Sequence, residues 1–201
     1  MKRSLHLIIL LCGLLWSVGC AAQTFTQEAV KDMPHLRLLH LSHYDKDGKV
    51  QVGELICNKA IAADLIEIFR ELYKAQYRIE RMETIDKYGG DDERSMTANN
   101  TSCYNYRLKT GNKKELSMHA RGLAIDINPL YNPYIHHRTG RIAPVAGKAW
   151  VNNREKLKEP WPGALIKKGD LIHTLFLKHG FTWGGSWRSC KDYQHFEKPL
   201  P

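Results

Sequence analysis

The chain has 201 residues, 30 of them basic and 21 acidic, with a formal charge of +9 and 43% hydrophobic content. That length suits one domain rather than several. It holds no stretch able to span a membrane, because the greasiest run, Leu5 to Val18, is too short to cross a hydrocarbon core as a stable helix.

Lys2 and Arg3, the short apolar run and then Gly19, Cys20, Ala21 and Ala22 form the layout of a secretory signal. "SVGC" also resembles a bacterial lipobox, whose cysteine is acylated, although Ser17 departs from the usual leucine-like residue there. Acylation at Cys20 and plain cleavage after Ala22 stay open as alternatives. Either way the expectation is export, to the periplasm or cell envelope, with membrane attachment only through a lipid at Cys20. Removing residues 1–22 leaves a domain of 179 residues, 23–201, with 28 basic and 21 acidic side chains, a formal charge of +7. Such a surface either serves solubility alone or favours anionic partners, which outside a bacterial membrane are wall polymers and acidic stem peptides rather than nucleic acid. Cys57, Cys103 and Cys190 remain, with no CxxC spacing; two can pair in an oxidising compartment, and sequence does not choose which. A monomer is expected.

Residues 36–57 read as a hairpin, "LRLLHLSHY" and "KVQVGELIC" joined at "DKDG", a strong turn signal. A calcium loop fails on count: from Asp45 the glycine comes fourth rather than sixth, and the twelfth residue is Ile56 rather than a glutamate. Residues 58–75 predict an amphipathic helix capped by Asn58, with Ile61, Leu65, Phe69 and Leu72 on one face. "YRIERMETI" (77–85) reads as a strand, residues 86–107 as a polar loop, and "GLAIDIN" as a short buried strand. Residues 129–169 read as an excursion over the surface. "GDLIHTLFLKHG" (169–180) predicts a helix with Asp170 near its start and Gly180 past its end, followed by strand pieces in "FTWGG" and "YQHFE". The result is a single α+β domain, mostly antiparallel sheet with flanking helices.

Chemistry concentrates in two places. His119 and Asp126 lie at the mouth and in the interior of the "GLAIDIN" strand, and "DYQHFE" supplies Asp192 and His195. A catalytic zinc site needs three protein ligands and one position left for water, and His119, Asp126 and His195 form such a set. Asp192 is then the spare carboxylate beside that water. The competing reading is chance spacing, with Asp192 salt-bridged to His195 in a strand. His136 and His137 read as solvated, with contact to substrate the alternative, His173 and His179 as helix residues without chemistry, and His40 and His43 as flanking the hairpin. Of Trp183 and Trp187, one is expected in the core and one along the cleft. Ser117 lacks the G-x-S-x-G elbow of a nucleophile and reads as orienting the loop at His119.

In that order, "ANNTSCYNYR", "SMHARGLAIDINPLYNPY" and "GFTWGGSWRSCKDYQHFE" resemble the zinc D-Ala-D-Ala carboxypeptidase and L-alanyl-D-glutamate endopeptidase family of peptidoglycan peptidases, closest to its endolysin-like branch. The pattern S-x-H-x-x-G-x-A-x-D is met by Ser117, His119, Gly122, Ala124 and Asp126, and [DE]-x-x-H by Asp192 and His195. The resemblance implies the fold shared with hedgehog domains, Zn2+ held by His119, Asp126 and His195, and Asp192 as general base. It also implies an arginine that steadies the substrate carbonyl or carboxylate, Arg107 by position, with Arg94 the alternative. The implied function is a metallopeptidase acting on stem peptides, removing the terminal D-Ala or cutting between L-Ala and D-Glu. The alternative is a zinc-containing wall- or peptide-binding module without catalysis, against which the retained Asp192 argues.

Overall fold

The computed structural model describes residues 33–109 and 114–200. The leader and the Cys20 lipobox read in the sequence lie outside the described residues.

Strands β1 (Leu36–Tyr44) and β2 (Val50–Asn58) pair antiparallel in the register Leu36↔Asn58 to Tyr44↔Val50. The turn between them closes as the sequence predicts. Asp45 Oδ1 accepts the Asp47 and Lys49 amides, and Gly48 takes a φ of +76°, which a Cβ would disfavour. Helix α1 (Lys59–Lys74) follows at once, its first turn capped by Asn58, whose side-chain oxygen accepts the Ala60 amide. Ile61, Leu65, Ile68, Phe69 and Leu72 are buried along α1, which packs on β1 and β2. Each such side chain contributes about 1.5–3 kcal/mol by leaving water. The same core takes Leu39, Leu41 and Leu55 from the hairpin and Ile125, Ile172, Phe176 and Phe196 from the C-terminal half.

The next stretch departs from the sequence reading. Of residues 77–85 only β3 (Arg81–Met82) is a named strand, and Ile85 opens a 3-10 turn, Ile85–Tyr88. The expected loop contains helix α2 (Asp92–Thr97) and strand β4 (Asn100–Thr101), which pairs parallel with β3. Asp91 caps α2 by accepting the Arg94 amide, and Asp92 and Glu93 stand in its first turn. The capping signal was in the sequence, but six residues are too few to show helical periodicity.

Strand β5 (Ala124–Asp126) is fully buried, as expected. Then come β6 (Tyr134–His136), β7 (Ile142–Ala143), helix α3 (Leu171–Lys178) capped by Asp170, β8 (Thr182–Trp183), β9 (Cys190–Asp192) and β10 (His195–Glu197). They build two antiparallel sheets of three strands, β5-β10-β8 and β7-β6-β9. The architecture is therefore α+β, a single small domain with mostly antiparallel pairing. Among the described residues no helix is long and apolar enough to cross a membrane. Cys57 and Cys103 are buried free thiols and Cys190 is a half-buried one.

Residues 129–169 are not a surface excursion throughout. Asn132, Arg154, Trp161 and Ala164 to Ile166 are buried. Asn132 ties this segment together: its amide donates to the Asn128 and Ala164 carbonyls, and its oxygen accepts from Arg154 Nη2 and the Ile166 amide. Asn132→Ala strands several buried polar groups and should cost on the order of 3 kcal/mol. A urea unfolding curve shifted to lower midpoint at unchanged slope would report it, and an unchanged midpoint would show the knot to be dispensable.

Candidate metal centre

Strand alternation fixes half of the site. In β5 and β10, Ile125 and Phe196 are register partners and both are buried in the core, so Asp126 and His195, also partners, meet on the opposite face. His119 arrives from a short 3-10 turn, His119–Arg121, rather than from the strand mouth. Ser117 Oγ accepts the Ala120 amide and so ties the approach to that turn, in line with the loop-orienting role the sequence suggested.

The three side chains converge. His119 Nε2 lies 3.2 Å from Asp126 Oδ2 and 3.1 Å from His195 Nδ1, and His195 Nδ1 lies 3.0 Å from Asp126 Oδ1. One ligand atom from each falls within 4.8 Å of the others, and all three residues are buried. The remaining imidazole nitrogens are already engaged. His119 Nδ1 faces the Cys103 carbonyl at 2.7 Å, which can only accept, so Nδ1 donates there and Nε2 is directed into the cluster. His195 Nε2 faces Glu197 Oε2 at 3.1 Å, leaving Nδ1 toward Asp126. This outer support of each ring is what metal-ligating histidines require. Two imidazoles and one carboxylate, each with its second partner in place, fit a divalent cation, and the donor types suit zinc.

The electrostatics agree. Burial alone would raise the Asp126 carboxyl, but the His119 and His195 imidazoles outweigh it and hold the group well below the usual carboxylate range. Burial would likewise lower His195, but its hydrogen bonds to Asp126 and Glu197 outweigh this and raise the ring to about 10.

Asp192 ends β9 while His195 opens β10, so the two belong to different sheets across a tight bend. The approach depends on Gly184, since a Cβ there would lie 2.7 Å from both the Cβ and the carbonyl oxygen of Asp192 and 3.3 Å from the His195 Cβ. Asp192 Oδ1 is buried without a hydrogen-bond partner. Burial raises its carboxyl to about 7; the charge of His195 opposes this, Asp126 adds to it, and Arg107 opposes it. Arg107 therefore lies within electrostatic reach of Asp192, and its Nε stands 3.1 Å from Asp92 Oδ2. Arg94 is exposed on α2.

Trp183 is buried, its indole donating to the Tyr193 carbonyl, whereas Trp187 lies against His195 with ring centroids 5.3 Å apart. The tryptophan the sequence could not choose for the cleft is thus Trp187. Four other histidines are occupied elsewhere: His43 binds the Ile79 carbonyl, His173 packs on Trp183, His179 pairs with Asp64, and His40 sits 3.5 Å from Glu54. Sequence reasoning missed Glu197, although strand alternation from His195 would have placed it on the same face. It also missed the Cys103 carbonyl, a backbone group with no sequence signal. A groove of about 750 Å³ between the β1–β2 hairpin and β3 is lined by residues such as His43, Asp47, Glu80 and Lys87 and includes none of the converging side chains.

Residues 110–198 match the model of a family described as D-alanyl-D-alanine carboxypeptidase, which supports the resemblance read in the sequence. No curated protein and no solved structure matches the chain.

Proposed function

We propose that this chain, matched to that family through residues 110–198, is an exported zinc peptidase that hydrolyses peptide bonds in peptidoglycan stem peptides. One observation carries the reading: two imidazoles and a carboxylate converge beside half-buried Asp192, whose buried Oδ1 has no hydrogen-bond partner. A purely structural metal site needs no such spare acid.

His119 Nε2, Asp126 and His195 Nδ1 would hold the ion. When bound, zinc supplies an electrophile and lowers the pKa of water in its open position to about 7. Asp192, its carboxyl raised toward neutrality, accepts a proton from the attacking water and passes it to the leaving amine. Arg107, braced by Asp92, places positive charge where the carbonyl oxygen becomes negative. Trp187 walls the substrate side of His195. The Lys2–Arg3 flank and the apolar run to Val18 support delivery to the envelope, where such peptides are found.

The test is incubation with defined muropeptides and mass spectrometry of the products, with and without a chelator. Chelator-sensitive cleavage is expected, and loss of one alanine or release of the stem peptide beyond L-Ala tells which bond is cut. Intact muropeptides with zinc-loaded protein, or cleavage that ignores the chelator, would overturn the reading. Glu197→Gln adds a finer check: the His195 ring loses its charged partner, and zinc affinity should fall about 10- to 100-fold in a competition titration.

A further inference from the structure

The sheet β7-β6-β9 carries Asp192 at one end, and its register determines what shares a face with that carboxylate. Asp192 pairs with Tyr134, which pairs in turn with Ala143. One step along the strands, Cys190 pairs with His136, and the His136 amide donates to the Arg141 carbonyl at 2.9 Å. Cross-strand partners project to the same side. One face therefore presents Asp192, Tyr134 and Ala143 in a first row and Cys190, His136 and Arg141 in a second.

The second row carries one unneutralised cation, Arg141. Arg141 is exposed, and no ion pair engages it among the described residues. His136 Nδ1 accepts from the Thr139 amide and lies 3.0 Å from its hydroxyl, so the ring is held in place with Nε2 on its other side. Arg138 at the hairpin tip and Arg188 before β9 add charge, and residues 134–141 include no acidic side chain. The Arg141 charge reaches the Tyr134 phenol, which Asp192 also influences, so the two rows form one electrostatic surface.

We propose that Arg141, with His136 beside it, is a carboxylate-recognition subsite of the candidate active site. It takes a carboxylate of the substrate peptide two or three residues from the bond that is cut. Two strand spacings and one step of two residues separate Arg141 from Asp192, roughly 12 Å between Cα atoms, a distance that an extended arginine and a bound dipeptide together can bridge. A forked guanidinium matches a carboxylate in two parallel hydrogen bonds, and an acidic peptide supplies several. This subsite rests on the peptidase reading for its substrate but not for its test.

The test is calorimetric binding of the full, zinc-loaded chain to L-Ala-D-Glu-L-Lys-D-Ala-D-Ala and to the same peptide with its carboxylates amidated. The free acid should bind about tenfold more tightly at low salt, and the preference should shrink as sodium chloride is raised. Arg141→Ala should abolish the preference and Arg141→Lys should keep part of it, while zinc content and melting temperature hold in both. Equal affinity of the natural chain for the two peptides, or an undiminished preference in Arg141→Ala, overturns the subsite. A peptide bound with this preference but left uncut upholds the subsite and sinks the peptidase. A peptide cut without any preference does the reverse.

Discussion

Asp192→Asn should keep its zinc, fold normally and lose turnover of muropeptides by at least about a hundredfold. The substitution conserves shape, so Gly184 and His195 keep their close approach. What disappears is the ability to hold a proton. A positioned general base contributes about 10²- to 10⁴-fold, and its pKa should lie near working pH. Asp192 meets both conditions, with its carboxyl raised to about 7 and Oδ1 free of protein partners. The neutral amide should also bind substrate, so the loss should appear in kcat rather than in KM. Full activity in Asp192→Asn would strip the residue of its role and leave a metal site without an acid–base partner.

His119→Ala should abolish both metal and activity. Its Nε2 is one of three converging ligand atoms, and the Cys103 carbonyl that orients it cannot substitute for it. Stability should respond as well. A ligand that binds only the folded state stabilises it by RT ln(1 + [L]/Kd), about 4 kcal/mol when the ion stands at a thousand times its Kd. The natural chain should therefore melt several degrees lower in chelator, whereas His119→Ala should melt at one temperature with or without it. A chelator effect that survives in the variant would place the ion elsewhere.

How much of this could be read from the sequence follows from the range of each interaction. The hairpin, α1 and α3 were legible because turn chemistry, capping and periodicity act within a few residues, as at Gly48, Asn58 and Asp170. The pairing of Asp126 with His195 spans 69 residues, and spacing alone offered only candidates. The structure brings them together because Ile125 and Phe196 are buried on the other face of the same two strands. Short elements escaped for the opposite reason. Strands of two or three residues such as β3, β4 and β9 carry too little alternation to register, and tertiary pairing defines them. Residues 129–169 looked solvated because their polar residues were counted as surface, yet Asn132 and Arg154 are buried hydrogen-bonding hubs.

X-ray absorption at the zinc edge of the loaded full-length chain tests the central claim most directly. Two imidazoles, one carboxylate and a fourth light ligand predict a four-coordinate shell of nitrogen and oxygen at about 2.0–2.2 Å, with the outer-shell scattering of two histidine rings. A sulfur neighbour at about 2.3 Å would contradict it, because the ion would then be held by Cys57, Cys103 or Cys190 rather than by His119, Asp126 and His195.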